Sequence, residues 1–336
     1  MSAPIRPKTG APHARIMGVG GYRPVRVVPN SELIERINSS DEWIQSRSGI
    51  VTRRWAGDEE TVTEMSLAAA GKALAHAGIA AEQIGCVIVA TVTHLKQTPA
   101  VATDIAYRLG AGGGRAPAFD ISAACAGFCY GLTLANDMVR GGSAEYVLVI
   151  GVERLSDLTN PDDRSTAFIF GDGAGAVVVG PSDEPGIGPA VWGSDGANSG
   201  TISQSTSWEA LRDNPEAAFP TLTMEGPTVF RWAVWEMAKV CKEALEAAGV
   251  EAGELDAFIP HQANMRITDA MIKALKLPAD VPVARDIAET GNTSAASIPL
   301  AMERMLETGE ATSGGTALVM GFGAGLVYAG QVITLP

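Results

Sequence analysis

The sequence predicts an α/β protein built from two similar halves, and three observations carry that prediction. Apolar runs of strand length (Val87–Thr91, Tyr146–Gly151, Ala174–Val179 and Ala317–Gly321) alternate with longer stretches of helical period such as Thr63–Ala77 and Val229–Ala248. These runs are nearly continuous in Val, Ile and Leu, the pattern of strands buried on both faces, so helices should cover each side of the sheets. The third observation is repetition. Ala73-Leu74-x-x-Ala77-Gly78-Ile79-x-Ala81-x-x-Ile84-x-x-Val87-Ile88 returns as Ala244-Leu245-x-x-Ala248-Gly249-Val250-x-Ala252-x-x-Leu255-x-x-Phe258-Ile259. Val147–Gly151 is echoed by Ala317–Gly321, and Ser122-Ala123-Ala124 by Thr293-Ser294-Ala295. Helix, Gly stop and strand recurring in register indicate two copies of one unit.

At 336 residues the chain is long enough for two domains or for one large domain of two halves. The expected division is a loose tail over 1–14, a first half over 15–182 and a second over 183–336. Pro181, Pro185, Gly186, Gly188 and Pro189 crowd the boundary. Gly193–Pro220 is polar and rich in Ser and Thr, and reads as a long loop or small insertion of the kind that often serves function. No apolar run reaches the roughly 18 residues that a membrane span requires. A net charge of −13 argues against nucleic acid as a partner and makes any local basic cluster conspicuous. The four cysteines lack CxxC spacing, which argues against a zinc site or disulfide framework and fits a reducing cytoplasm.

Four segments can carry chemistry. In Phe119–Phe128 a short apolar strand runs into small residues and then into helical spacing at Leu132, Ala135 and Val139. Cys125 therefore falls at a tight strand-to-helix turn, where a helix N-terminus favours thiolate over thiol and lowers the pKa. A Cys among alanines is also what an inert buried residue looks like, and Cys86, Cys129 and Cys241 are read that way. In Phe258–Asn264 a strand ends in Pro260 and delivers His261, and strand C-termini face the crevice in α/β folds. In Glu289–Pro299 small polar residues lead into a helix. Asn292 there either caps the helix or aims its amide N–H₂ at a developing oxyanion. Finally, Met320–Leu326 is a strand followed by a Gly-rich turn whose N–H groups could line an oxyanion hole. The turn Gly171–Ala176 leads into a strand rather than a helix, so it is a structural turn and not a dinucleotide cradle.

Together, Ala123-Ala124-Cys125-Ala126-Gly127, Pro260-His261-Gln262-Ala263-Asn264, Gly291-Asn292-Thr293-Ser294-Ala295-Ala296 and Phe322-Gly323-Ala324-Gly325 closely resemble the β-ketoacyl-acyl-carrier-protein synthase III family. The resemblance runs from about Arg15 to the C-terminus. It includes Ser40-Asp41-Glu42-Trp43-Ile44 with Arg47, and Asp163-Arg164 followed by Ile169–Gly173. It implies a five-layer αβαβα thiolase-like fold of two duplicated halves, a soluble cytoplasmic homodimer, and a Cys125–His261–Asn292 triad. It implies acylation of Cys125 by an acyl-CoA, then decarboxylation of malonyl-acyl-carrier protein and attack of the resulting carbanion on the acyl group. No cofactor or metal is implied, since CoA and the carrier's phosphopantetheine are substrates.

By the same resemblance, the N–H groups of Cys125 and Ala324 form the oxyanion hole, which suits Ala324 if its φ is negative. Trp43 stacks on the CoA adenine with Arg164 on the other side, and Arg47 and Asn264 contact pantetheine and phosphate. Arg266 contacts the carrier, with Lys273 and Lys276 expected on the same helix face. Thr98 stands where some relatives carry a bulky aromatic in the acyl pocket, and a smaller residue leaves room for branched or longer starters. A specialised relative that primes a polyketide is the nearest rival. A biosynthetic thiolase lacks support because no second catalytic Cys follows near the C-terminal Gly turn, and a catalytically silent partner subunit would have lost Cys125.

Overall fold

The computed structural model describes residues 5, 8–214 and 216–336. In chain order its elements are β1 (His13–Tyr22), β2 (Arg26–Pro29), α1 (Asp41–Ser48), β3 (Thr52–Trp55), α2 (Val62–Ala77), β4 (Ile84–Ala90), α3 (Val101–Leu109), β5 (Ala118–Ile121), α4 (Gly127–Gly141), β6 (Tyr146–Glu153) and β7 (Gly173–Ser182). There follow β8 (Val191–Gly193), β9 (Ile202–Gln204), α5 (Trp208–Asp213), β10 (Leu222–Met224), α6 (Gly226–Ala248), β11 (Ala257–Pro260), α7 (Met265–Leu275), α8 (Ile287–Thr290), α9 (Ser297–Thr308), β12 (Thr316–Gly323) and β13 (Val327–Thr334).

Two mixed sheets organise the molecule, in the orders β1-β7-β6-β4-β5 and β11-β12-β13-β8. Their pairings correspond one to one. β4–β6 and β11–β12 are parallel, while β6–β7 and β12–β13, and β1–β7 and β13–β8, are antiparallel. Where β5 flanks β4, the second sheet has only a single parallel bridge from Phe258 to Val283. One face of each sheet packs on the central pair α4 and α9, through a core containing Phe128, Leu132, Val149, Val177, Ile298, Met302 and Val319. α2 and α3 cover the outer face of the first sheet, and α6 and α7 that of the second. The result is five layers, helix–sheet–helix–sheet–helix, and it explains the uninterrupted Val and Ile of the strands, which are buried from both sides. Both α2 and α6 stop at a Gly in the left-handed region, Gly78 (φ 65°) and Gly249 (φ 67°), where a side chain would be strained.

Three expectations shift. The expected tail lies in part outside the described residues, but within them β1 already starts at His13 and Ala14 is buried, because β1 pairs with β7 from Tyr22↔Ala174 as far as His13↔Ser182. The stretch after Gly193 resolves to the small insertion of the two alternatives and not the long loop, since β9 and β10 pair across it and Trp208 packs edge-on to Phe219. The internal repeat moves by one residue at its centre. Each half makes one tight turn with a single left-handed non-glycine residue, Ala124 (φ 43°) and Ser294 (φ 47°), so Ser122 corresponds to Asn292 and Cys125 to Ala295.

Candidate active site

Cys125 lies in the tight turn Ala124–Ala126 that delivers the chain from β5 into α4. The floor beneath it is β12, laid down so closely that a Cβ on Gly323 would stand 2.8 Å from the Cys125 nitrogen and 3.0 Å from its sulfur. Ser294 stands in the matching turn of the second half and borders the same cavity as Cys125. Burial pushes the Cys125 thiol up to about 12, and the nearby Glu153 charge adds to the rise, while the Ser294 hydroxyl and the residue's own N–H pull in the other direction. A helix N-terminus favours the opposite shift, and Cys125 precedes the first residue of α4 by two positions while keeping some exposure to an open cavity. Cys86, Cys129 and Cys241 are buried, with thiols raised by burial, and none of them borders the cavity that Cys125 faces.

His261 follows β11 immediately, and its N–H is held by the Met320 carbonyl at 2.7 Å. The residue is 2% exposed and its ring meets Phe322 edge-on at 5.2 Å. Burial drives its pKa down to about 3, so it is a neutral imidazole. Nδ1 lies 2.7 Å from Ser297 Oγ, and Ser297 Oγ also accepts the Gln262 N–H at 3.4 Å. The Ser297 hydroxyl has no other acceptor among the described residues, so it donates to Nδ1 and the ring hydrogen sits on Nε2. Nε2 has no hydrogen-bond partner among the described residues.

Asn292 unites the two readings that the sequence left open. Its Oδ1 accepts the Ser294 N–H at 2.8 Å and so caps the turn into α9, which leaves the amide N–H₂ for the cavity. A parallel bridge to Phe170 anchors its backbone, with Asn292 N–H donating to Ile169 O (2.9 Å) and Gly171 N–H to Asn292 O (3.0 Å). The Gly171 turn is accordingly structural, and Asp172 in it is buried, accepting from Ala56 N and Ser156.

A cavity of about 1440 Å³ runs from these residues to the surface. Cys125, His261, Asn292, Ser294 and Ala324 border it, as do Trp43, Arg47, Asn264, Arg266 and Thr98. Ala324 is not among the positive-φ residues, which meets the condition set for it. Trp43 packs on Phe168 at 5.4 Å, with the guanidinium of Arg164 5.1 Å from its ring and that of Arg47 5.9 Å away. Arg164 itself stands outside the cavity wall. Asn264 caps α7 through the Arg266 N–H (3.0 Å) and donates to the Arg47 carbonyl (3.0 Å), tying α7 to α1. Arg266 is exposed over the Phe230 ring at 4.8 Å. Lys276 departs from the expected shared face, because α7 ends at Leu275 and Lys276 is its left-handed cap (φ 53°). Thr98 is exposed at the rim, and β9, α5 and β10 supply Ile202, Trp208, Leu222 and Met224 to the far wall.

The sequence reading missed Ser294, Ser297 and Glu153. Glu153 ends β6 fully buried; its Oε2 accepts from Val92 N (3.1 Å) and from the hydroxyls of Thr93 (2.9 Å) and Thr91 (3.2 Å), and its Oε1 from Ser294 Oγ (3.1 Å). Burial raises its pKa to about 7 against the pull of those donors. A carboxylate closing the otherwise apolar run Val147–Val152 was the available signal.

Comparison with known proteins agrees with this geometry. The family models for 3-oxoacyl-[acyl-carrier-protein] synthase III and for its C-terminal part match residues 119–196 and 245–335. The β-ketoacyl-[acyl-carrier-protein] synthase III of Streptomyces glaucescens is 68% identical over 332 residues, 99% of each chain. That of Mycobacteroides abscessus is 54% identical over 330 residues, 98% of this chain and 96% of its own. Among solved structures, the priming β-ketosynthase of the R1128 polyketide biosynthetic pathway superposes with a TM-score of 0.96 at 48% identity, covering 99% of both chains. The 3-oxoacyl-[acyl-carrier-protein] synthase III of Aquifex aeolicus gives 0.87 at 38%, covering 96% of this chain and 99% of that one. The five layers are the thiolase-like fold, and the chain belongs to the 3-oxoacyl-[acyl-carrier-protein] synthase III family.

Proposed function

We propose that this chain initiates type II fatty acid biosynthesis by condensing an acyl-CoA primer with malonyl-acyl-carrier protein, releasing CoA and CO₂. The observation that carries the reading is the convergence of one nucleophile and two unclaimed donors, Cys125 Sγ, the His261 Nε2–H and the Asn292 N–H₂, on the wall of one cavity. Cys125 attacks the acyl-CoA thioester, and the tetrahedral oxyanion rests on the N–H groups of Cys125 and Ala324. CoA leaves, and malonyl-carrier protein enters. Loss of CO₂ puts negative charge on the thioester oxygen of the new enolate, which His261 and Asn292 stabilise. Neutral donors whose other ends are fixed by Ser297 and Ser294 need no reorganisation when that charge develops. The enolate carbon attacks the acyl group and expels Cys125.

CoA meets Trp43, Arg47, Arg164 and Asn264 at the cavity mouth, and the acidic carrier meets Arg266 against the protein's overall negative charge. β5 is an open sheet edge in the single chain, and we assign it to a homodimer contact that light scattering checks by the mass of two chains. The chemistry asks for no metal or organic cofactor, and a reducing cytoplasm keeps Cys125 a thiol. The likeness to the R1128 priming enzyme supports a second reading, priming of a polyketide. Competing acetyl-CoA, longer acyl-CoAs and acyl-carrier donors for a limiting amount of enzyme with malonyl-carrier protein, and identifying the 3-oxoacyl product by mass, separates the two. Products from short acyl-CoA primers support initiation of fatty acid synthesis. Products from an acyl-carrier donor alone, or none at all, contradict it.

A further inference from the structure

His261 and Asn292 act together only if their donors meet at one oxygen, and that depends on how β11 is joined to α8. Gln262, the residue after His261, makes the joint. It is 1% exposed and does not line the cavity, so its amide serves no substrate. Its Nε2 donates to Pro260 O (2.7 Å) at the end of β11 and to Ala284 O (3.2 Å). Its Oε1 accepts the Ile287 N–H (3.1 Å) at the first residue of α8. Both amide hydrogens are spent on carbonyls, and the oxygen on a donor. Burying an amide is costly unless it is paired, and an apolar side chain would fill the same volume without that demand. What the amide adds is a fixed distance between three backbone groups.

Those groups lead directly to the two donors. Pro260 precedes His261, whose own N–H is held by Met320 O. Ile287 opens a helix of one turn, and its carbonyl accepts the Gly291 N–H (3.0 Å). Asn292 follows, after a Gly291 whose φ of 66° and close approach to Arg53 leave no room for a side chain. From His261 to Asn292 the path is one side chain, one helical turn and one glycine. A second connection runs through Ser294 and Ser297 at the start of α9. The bridge from Asn292 to Phe170 ties it to the first half and does not reach His261.

We propose that Gln262 is a positioning residue for decarboxylation. It sets the spacing between the His261 Nε2–H and the Asn292 N–H₂, and so the fit of the pair to the enolate oxygen. It touches neither the substrate nor a reacting atom. Cys125 sits on a separate turn packed against β12, so acylation does not depend on this joint. The inference rests on the proposed roles of His261 and Asn292.

The test separates the two half-reactions in Gln262→Met and Gln262→Glu. Met removes all three hydrogen bonds at nearly constant length, while Glu keeps an acceptor for Ile287 and loses the donors to the two carbonyls. Thermal unfolding identifies the folded variants, and a variant that has lost its fold is set aside for the other. Acylation, read by intact mass after mixing with an acyl-CoA, should stay within about twofold of wild type. Condensation of preformed acyl-enzyme with malonyl-carrier protein should slow by about 10²-fold, the cost of donors misplaced by roughly 1 Å, with KM for the carrier unchanged. Added to Asn292→Ala, neither substitution should slow condensation more than about twofold further, because one donor alone has no spacing to keep. Equal losses in both half-reactions, losses that add to that of Asn292→Ala, or unchanged condensation would each overturn the proposal. A wild-type enzyme that takes an acyl group but never consumes malonyl-carrier protein would remove the roles given to His261 and Asn292, and the proposal with them.

Discussion

At the residue scale, the site depends on groups whose second polar atom is already spent. Asn292 gives its carbonyl to a cap, and His261 its Nδ1 to Ser297, so each presents a single donor to the cavity. Replacing Asn292 by Ala should cost about 3–4 kcal/mol in the condensation transition state, roughly a 10²–10³-fold loss of rate, measured with acyl-enzyme prepared in advance. Burial of neutral His261 also has a stability consequence. Its pKa is about 3 when folded, against an ordinary value of 6.5, so between those values the unfolded chain binds a proton that the folded chain declines. The contribution is fully present above 6.5 and is lost as pH falls. His261→Ala should therefore show a shallower fall in thermal midpoint than wild type between about pH 6.5 and 4.5, and parallel curves would contradict the neutral, buried assignment. Cys125, His261 and Asn292 were legible in sequence because each follows a strand or turn signal with unusual small or polar neighbours. Ser294 and Ser297 were not, because Ser beside Thr and Ala in a turn carries no pattern, while Glu153 left only a carboxylate at the end of an apolar run, with its Ser294 partner 141 positions away.

At the scale of elements, close packing of β12 against the Cys125 turn fixes the position of that residue. A Cβ on Gly323 meets the Cys125 backbone and sulfur, so Gly323→Ala should displace Cys125 and cut acylation sharply, with stability lowered by the overpacking, of the order of 1–3 kcal/mol, and the thermal midpoint with it. Unaltered acylation would show that β12 yields. α1 and α7 form the mouth. Trp43→Ala should raise KM for acyl-CoA about tenfold by removing a stacking surface, whereas Arg266→Glu should chiefly raise KM for malonyl-carrier protein. A swap of those two effects would reverse the assignment of CoA and carrier sites. Thr98→Phe at the rim should narrow the primer range toward acetyl-CoA, and equal turnover of short and branched primers before and after would remove Thr98 from the pocket. Helices α2 and α6 were readable in sequence from their period and Gly stops. The β9–β10 pair was not, since three-residue strands in a polar segment leave no alternation to read.

At the scale of the whole molecule, duplication built the frame and divergence made it asymmetric. By strand register, Ala90 of the first half corresponds to His261, Gly127 to Ser297, Ser122 to Asn292 and Glu153 to Gly323. The first half thus brings the proposed nucleophile and a buried carboxylate, and the second brings the proposed donors and the glycine floor. The repeat in the sequence revealed the frame because helix stops and buried strands tolerate little change. It misplaced the central turn by one residue, because the equivalence there is set by a backbone angle and not by residue type.

The central claim is that acyl transfer belongs to Cys125 and decarboxylation to His261 with Asn292. Intact mass after brief mixing with single acyl-CoAs tests it most directly, with wild type, Cys125→Ala, His261→Ala and Asn292→Ala side by side. The account predicts a gain of one acyl group in wild type and in the His261 and Asn292 variants, and none in Cys125→Ala. An acyl group on Cys125→Ala, or none on any of the four, would contradict it.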